Sequence, residues 1–158
     1  MIRFDYKTLL VYKINNASAE EIFKHLTFCK DQFVPPLNEY VDIKSYSMKI
    51  KSNALTFEAW QRDYLVGLLA AYFNDFTSKK AFITSLSVAT QFQGLGIAKS
   101  LLLRCLEYSA EHDFRAIDLE VNKNNKKAIR FYMSNEFSIK AESPNSLILT
   151  TYKKKPTT

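Results

Sequence analysis

The spacing of apolar and polar positions changes along the chain, and each change marks an element. Thr8 to Ile14 reads as a first strand. Ser18 and Glu21 form a capping-box pattern, and Ile22, Leu26 and Cys29 follow at helical spacing, which predicts a helix ending before Pro35. Asp42 is an N-cap for a second helix with Ile43, Tyr46 and Ile50 on one face. Ala54 to Trp60 and Tyr64 to Phe73 are rich in aromatic and aliphatic residues; the polar Gln61-Arg62-Asp63 between them makes the pair a hairpin. Phe82 to Val88 is a fourth strand.

A helix opening after Gly96 carries Ala98, Leu102, Cys105 and Ser109 on one stripe and Ser100, Arg104, Glu107 and Glu111 on the opposite one. Ile117, Leu119 and Val121 then alternate with Asp118 and Glu120 in a half-buried strand, followed by a helix from Lys126 to Asn135. Phe137 to Glu142 and Leu147 to Tyr152 are the last two strands, with Pro144-Asn145 between them. Helices and strands interleaved in this order predict an α/β (α+β) domain.

Composition bounds the rest. With 158 residues, 47% of them hydrophobic, the chain is long enough for one packed domain and too short for two ordinary ones. The expected division is a domain over 1–152 and a basic tail over 153–158, where Lys153, Lys154 and Lys155 supply part of the net charge of +6. No apolar run approaches the roughly 18 residues of a spanning helix, and Met1 to Tyr6 lack a signal peptide's continuous apolar core, so a cytoplasmic protein without membrane contact is expected. Cys29 and Cys105 have no C-x-x-C spacing and no nearby histidine, so neither a disulfide framework nor a metal site is expected. His25 and His112 belong to no motif. No nucleic-acid motif accompanies the positive charge, which suits any polyanion. A monomer or homodimer is expected.

The chemistry concentrates between Leu86 and Ala98, L-S-V-A-T-Q-F-Q-G-L-G-I-A, where an apolar strand breaks into a glycine-bearing turn and runs into a helix. Gly94 and Gly96 remove the side chains that would keep a ligand off the backbone, so N–H groups and the positive end of the helix can face one diphosphate. A dinucleotide-binding turn, with Glu120 as its ribose acid, fits less well: the third glycine falls at Lys99, and no second mononucleotide-binding half exists.

Gln93, Gly96 and Ala98 fit the pattern Q/R-x-x-G-x-G/A of the GCN5-related N-acetyltransferases, which cradles the pyrophosphate of coenzyme A. The stretch from Leu119 to Phe137, with Asn125, Ala128, Ile129 and Tyr132 at matching spacing, resembles that family's strand, asparagine-led helix and terminal aromatic. The resemblance implies a mixed, mostly antiparallel sheet of about seven strands flanked by about four helices, with the fourth and fifth strands splayed apart. It also implies acetyl-CoA as co-substrate, held by Gln93, Gly94, Leu95, Gly96, Ile97, Ala98 and Lys99. Leu86, Ser87 and Val88 would pair with the pantetheine amides and polarise the thioester carbonyl, Asn125 would contact the cofactor or cap its helix, and Tyr132 would be the general acid. The family's glycine before the last phenylalanine is replaced by Glu136, and Asn135 before it is expected to take the left-handed cap.

For the amine proton, the fourth strand offers Thr84, Ser85 and Ser87 where some members place a glutamate, which leaves Glu120 and Asp75, or a water chain. A hydroxyl acceptor needs a stronger base than an amine does, so an amine is the expected acceptor, and the resemblance implies a primary amine of a small molecule. Tyr40, Tyr72 and Asn74 are the candidate acceptor-binding residues. The segment from Phe33 to Met48 looks like the acceptor-side insertion of members that acetylate small molecules, amino sugars among them. The alternatives are acetylation of a protein N-terminus, or a module that binds acyl-CoA without turning it over.

Overall fold

Local signals fix most element ends in the computed structural model, which describes residues 9–152. Thr8, predicted to start the first strand, and the tail at 153–158 lie outside the described residues. Strand β1 (Leu10–Ile14) leads into helix α1 (Ala19–Cys29). Both halves of the capping box form: the Glu21 N–H donates to Ser18 Oγ at 3.1 Å and the Ser18 N–H to Glu21 Oε1 at 3.0 Å. Helix α2 (Ile43–Asn53) is capped by Asp42, whose carboxylate accepts the Ser45 N–H at 3.2 Å. Strands β2 (Leu55–Gln61) and β3 (Tyr64–Asp75) join through a two-residue turn in which Arg62 takes φ 52°.

Strand β3 runs two residues beyond its predicted end, and β4 (Lys80–Val88) begins two residues early. Asp75 is the reason, because its carboxylate accepts the Ser78 N–H and hydroxyl and so tightens the hairpin that pairs Asp75 with Lys80. Helix α3 (Ile97–Glu111), strand β5 (Ala116–Asn122), helix α4 (Lys126–Ser134) and strands β6 (Ser138–Glu142) and β7 (Ser146–Tyr152) complete the order. The buried stripe of α3 is wider than predicted, adding Ile97 and Leu101, while Ser100 is half-buried. At the end of α4 the expectation for Asn135 is corrected. Glu136 itself takes the left-handed position, φ 71°, while the Phe137 N–H reaches back to the Tyr132 carbonyl at 3.1 Å. This six-to-one bond is a Schellman ending, closed by the Tyr132 and Phe137 rings 5.3 Å apart.

The strands form one mixed sheet in the order β1-β2-β3-β4-β5-β7-β6, antiparallel except for the parallel pair β4 and β5. α1 and α2 cover one face through a cluster that includes Ile22, Leu26, Ile50, Trp60 and Leu68. α3 and α4 cover the other, where Ile97, Leu101 and Tyr132 join Phe57, Leu69, Leu119 and Leu149. Glu58, fully buried, ties β2 to the β1–α1 junction: it accepts the N–H groups of Asn16 and Ala17, the Thr56 hydroxyl and the Trp60 indole N–H. A buried carboxylate is tolerated only when saturated in this way.

Two irregularities set up the site. β4 and β5 pair only from Lys80–Ala116 to Ile83–Leu119, after which they part. At the same place the β3–β4 register slips: Ile83 stands opposite Ala71 and Ser85 opposite Ala70, leaving Thr84 as the extra residue of a bulge.

Candidate active site

The parting of β4 and β5 opens a cavity of about 450 Å³ on the α3–α4 side. Its walls come from Leu86, Ser87 and Val88 of β4, from the turn and first residues of α3 (Gln93, Gly94, Gly96, Ile97, Ala98 and Lys99), and from Asn125 and Tyr132. Sequence-predicted cofactor residues therefore meet in one space. Leu95 is the exception: it packs against the core beneath the turn.

The turn leaves the first N–H groups of α3 open to an anion. Gly94 and Gly96 both have φ +80°, and a Cβ on either would point into open space. Gly96 is the N-cap of α3 and has no side chain to satisfy the first N–H groups, and the first turn has no acidic residue. Lys99 adds a cation to the positive end of the helix dipole, an arrangement that repels itself until an anion arrives. Gln93 serves the strand, its Nε2 donating to the Val88 carbonyl at 3.2 Å and holding the end of β4 against the turn.

Asn125 caps α4, accepting the Ala128 N–H at 3.2 Å, and also lines the cavity. Two turns on, Tyr132 is 7% exposed, edge-on to Phe131 and Phe137. Burial, with Cys105 adding a smaller push, holds its phenol well above the ordinary value near 10, so it stays protonated at any working pH. Several wall residues are not among the expected cofactor residues: Gln32 and Phe33 from the α1–α2 connection, Phe92, and Lys127, Ala128 and Phe131 of α4. The aromatic-proline run at Phe33 and the lysine pair at the start of α4 are the signals that could have found them.

Under β4, His25 is buried and its Nδ1 lies 3.1 Å from the Leu65 carbonyl, so Nδ1 carries the proton and Nε2 accepts the Ser87 hydroxyl at 2.9 Å. Burial lowers its pKa to about 4, against the smaller opposing effect of backbone hydrogen bonding, the Leu65 carbonyl first. Cys29 Sγ lies 3.8 Å from His25 Nε2, which corrects the expectation of no histidine near either cysteine, since positions four apart share one face of α1; its thiol is pushed up to about 11 by the same burial.

The remaining candidates lie on the opposite face. Glu120 is exposed on β5, one residue beyond the last β4–β5 pair, and accepts the Ser146 hydroxyl at 2.8 Å. It shares its face with Asp118, which stands opposite Phe82. Tyr72 stands opposite Phe82 on the other side, with Lys49 Nζ 5.7 Å from its ring centre. Tyr46 reaches from α2 to Thr84, and Tyr40 is exposed at the rim of the same group. Asn74 is turned to other work, donating to the Asn53 carbonyl at the end of α2 at 3.0 Å. Asp75 is at the hairpin, about 13 Å of strand from Thr84, and its carboxylate is held by Ser78 below the usual carboxylate range. The structure does not bring Asp75 to the cavity.

A parallel pair that splays in a seven-stranded sheet, above an uncapped helix start, defines a fold for binding a phosphate-bearing acyl carrier. The Acetyltransferase (GNAT) family model matches residues 19–137, and the chain belongs to that family. Three solved structures share the fold. The Ard1 structure from Thermoplasma volcanium has a TM-score of 0.73 at 20% identity, covering 91% of this chain and 99% of that one. The ribosomal-protein-S18-alanine N-acetyltransferase of Escherichia coli has a TM-score of 0.73 at 14% identity, with 93% and 97% covered. The PaiA N-acetyltransferase of Thermoplasma acidophilum, solved with coenzyme A, has a TM-score of 0.69 at 16% identity, with 90% and 99% covered. No curated protein matches the chain in sequence. Among the described residues, no helix is long and apolar enough to cross a membrane.

Proposed function

We propose that the protein transfers the acetyl group of acetyl-CoA to a primary amine of a small molecule by direct attack, without a covalent enzyme intermediate. The observation that carries this reading is one continuous cavity joining the uncapped start of α3 to the buried Tyr132 hydroxyl group's ring, with the β4 segment Leu86–Val88 between them. The pyrophosphate would lie on the N–H groups of Gly96 to Lys99, each such bond to a charged group contributing about 1.5–3 kcal/mol. The pantetheine arm would run along Leu86–Val88, with Asn125 beside it.

The amine would enter from the α1–α2 face, past Tyr40 and Tyr72. Glu120 would take its proton, directly or through a water, because it stands where β5 leaves β4 and faces that side. As the C–N bond forms and the C–S bond breaks, Tyr132 would protonate the departing sulfur. Burial raises the phenol, but the same low-dielectric surroundings make the thiolate a stronger base, so the two stay matched. An amino sugar suits the aromatic and hydroxyl character of the entrance. A cytoplasmic site of action goes with an acyl donor of intracellular metabolism.

The test is Tyr132→Phe, with acetyl-CoA binding measured by calorimetry and turnover measured over amino sugars, amino acids, polyamines and peptides. Binding should persist while turnover falls by about 10²- to 10⁴-fold. Unchanged kinetics would reject the acid role. Tight acetyl-CoA binding by the wild type with no acceptor consumed would favour a binding module instead.

A further inference from the structure

We propose that Tyr46 is a positioning residue for acetyl transfer: its hydroxyl pins the Thr84 bulge and so fixes which face each residue of the β4 cofactor segment presents. The inference rests on the acetyltransferase reading above and adds a residue to it.

Tyr46 lies on α2, and its O–H donates to the Thr84 carbonyl at 2.8 Å. Having spent its one proton there, its oxygen can only accept from Thr84 Oγ1, 2.6 Å away. One phenol thus holds both the main chain and the side chain of the residue that has no partner on β3. Thr84 is also the first β4 residue beyond the last β5 pair, so neither neighbouring strand holds it in register. Close by, the Tyr72 hydroxyl and Ser85 Oγ are buried without a hydrogen-bond partner, so among these hydroxyls Tyr46 is the one bonded to the carbonyl.

What the bulge decides is parity. Side chains alternate along a strand, and a one-residue slip turns every later one to the other face. Ala81 and Ile83 face the α3 side. Uninterrupted alternation would send Ser85 and Ser87 to that side as well, and Leu86 and Val88 away from it. The extra residue reverses this: Val88 and Leu86 join the α3 cluster, while Ser87 turns to His25 of α1. The main-chain groups along Leu86–Val88 turn with their side chains, and these are the groups that would face the thioester. A bulge free to migrate by one position would blur them.

Tyr46→Phe removes the hydroxyl and keeps the ring. The expected result is kcat lower by about 10- to 100-fold, the scale of a slightly misplaced reacting group, with the acetyl-CoA KM and calorimetric Kd within about twofold of wild type. Thr84→Val removes one of the two bonds, should give a smaller loss, and serves if Tyr46→Phe fails to fold; the double variant should be no worse than Tyr46→Phe alone. A readout independent of turnover is the amide spectrum. In the wild type, replacing CoA by acetyl-CoA should shift the signals of Thr84 to Leu86, and Tyr46→Phe should lose that shift while keeping the CoA-induced shifts at Gly94 to Ala98. Wild-type kcat in Tyr46→Phe, a loss carried by weaker acetyl-CoA binding, or a retained acetyl-specific shift overturns the proposal. Absence of any CoA-induced shift at Gly94 to Ala98 in the wild type overturns the acetyltransferase reading itself, a different result from the first three.

Discussion

Gly67→Ala tests whether the core places the cofactor cradle. Gly67 lies on β3 opposite Val88, directly beneath α3. A Cβ there would stand 2.9 Å from Ile97 Cγ2 and 3.2 Å from both Ala59 Cβ and Leu101 Cδ1. Carbon contacts are comfortable at about 3.5–4.0 Å, so the Ile97 contact must open by roughly 0.6 Å or more. Ala59 cannot give way, since its Cβ is fixed to the backbone of the neighbouring strand, opposite Gly67. The relief must come from α3, and Ile97 is its first residue, so the N–H groups of the cradle move with it. Overpacking of this kind costs about 1–3 kcal/mol, and a chain of this length loses about 2–4 °C of Tm per kcal/mol. Coenzyme A affinity should fall by about 3- to 30-fold, the equivalent of weakening a few charge-assisted bonds. Thermal unfolding with and without coenzyme A, paired with calorimetry, measures both. A lowered Tm with unchanged affinity would show that the turn places its own N–H groups, and would refute the coupling.

Two further outcomes follow from groups outside the cavity. His25 titrates at about 4 when folded against 6.5 when free, so the unfolded chain binds more protons between those values, and up to about 3 kcal/mol of stability present above pH 6.5 is lost as pH falls to 4. The difference in urea stability between wild type and His25→Gln over that window reads it out, and a difference that does not vary with pH would contradict a buried neutral imidazole. Glu136→Gly should raise stability by about 1 kcal/mol, because a side chain at φ 71° opposes the left-handed backbone of the α4 ending; a lower Tm would refute it.

Where the fold was legible, a side chain acts on backbone a few residues away. Ser18, Asp42 and Asn125 each bond an N–H three residues on, and each starts a helix where the sequence places one. The glycine turn at the start of α3 was legible for the same reason, since two glycines and a helix start are contiguous. What escaped are features made by residues far apart in the chain. The bulge at Thr84 depends on β3 pairing and on Tyr46, 38 positions away, and plain alternation along β4 gives the wrong face for Ser85 through Val88. The Gly67 contact depends on how closely α3 approaches β3, which no spacing in either segment encodes. At the α4 ending asparagine is the better left-handed residue by type, yet the Phe137-to-Tyr132 bond sets the position of the cap and takes Glu136, the residue that falls there.

The three glycines of the chain make a joint argument for the site. Among the described residues, Asn15, Arg62, Lys79, Asp113 and Glu136 all take positive φ with a side chain in place, so this fold tolerates the strain of left-handed backbone where only a turn is at stake. Only Gly94 and Gly96 meet the same conformation with no side chain, and there the space a Cβ would fill is open. Neither the φ angle alone nor crowding in the free protein therefore accounts for glycine at both positions; close approach of a ligand, as proposed above, would. The third, Gly67, lets α3 settle against the sheet and brings the same helix start within reach of β4. Glycine is placed on both sides of one helix terminus, above it leaving the room the proposed diphosphate would need and below it setting how closely the helix approaches the sheet.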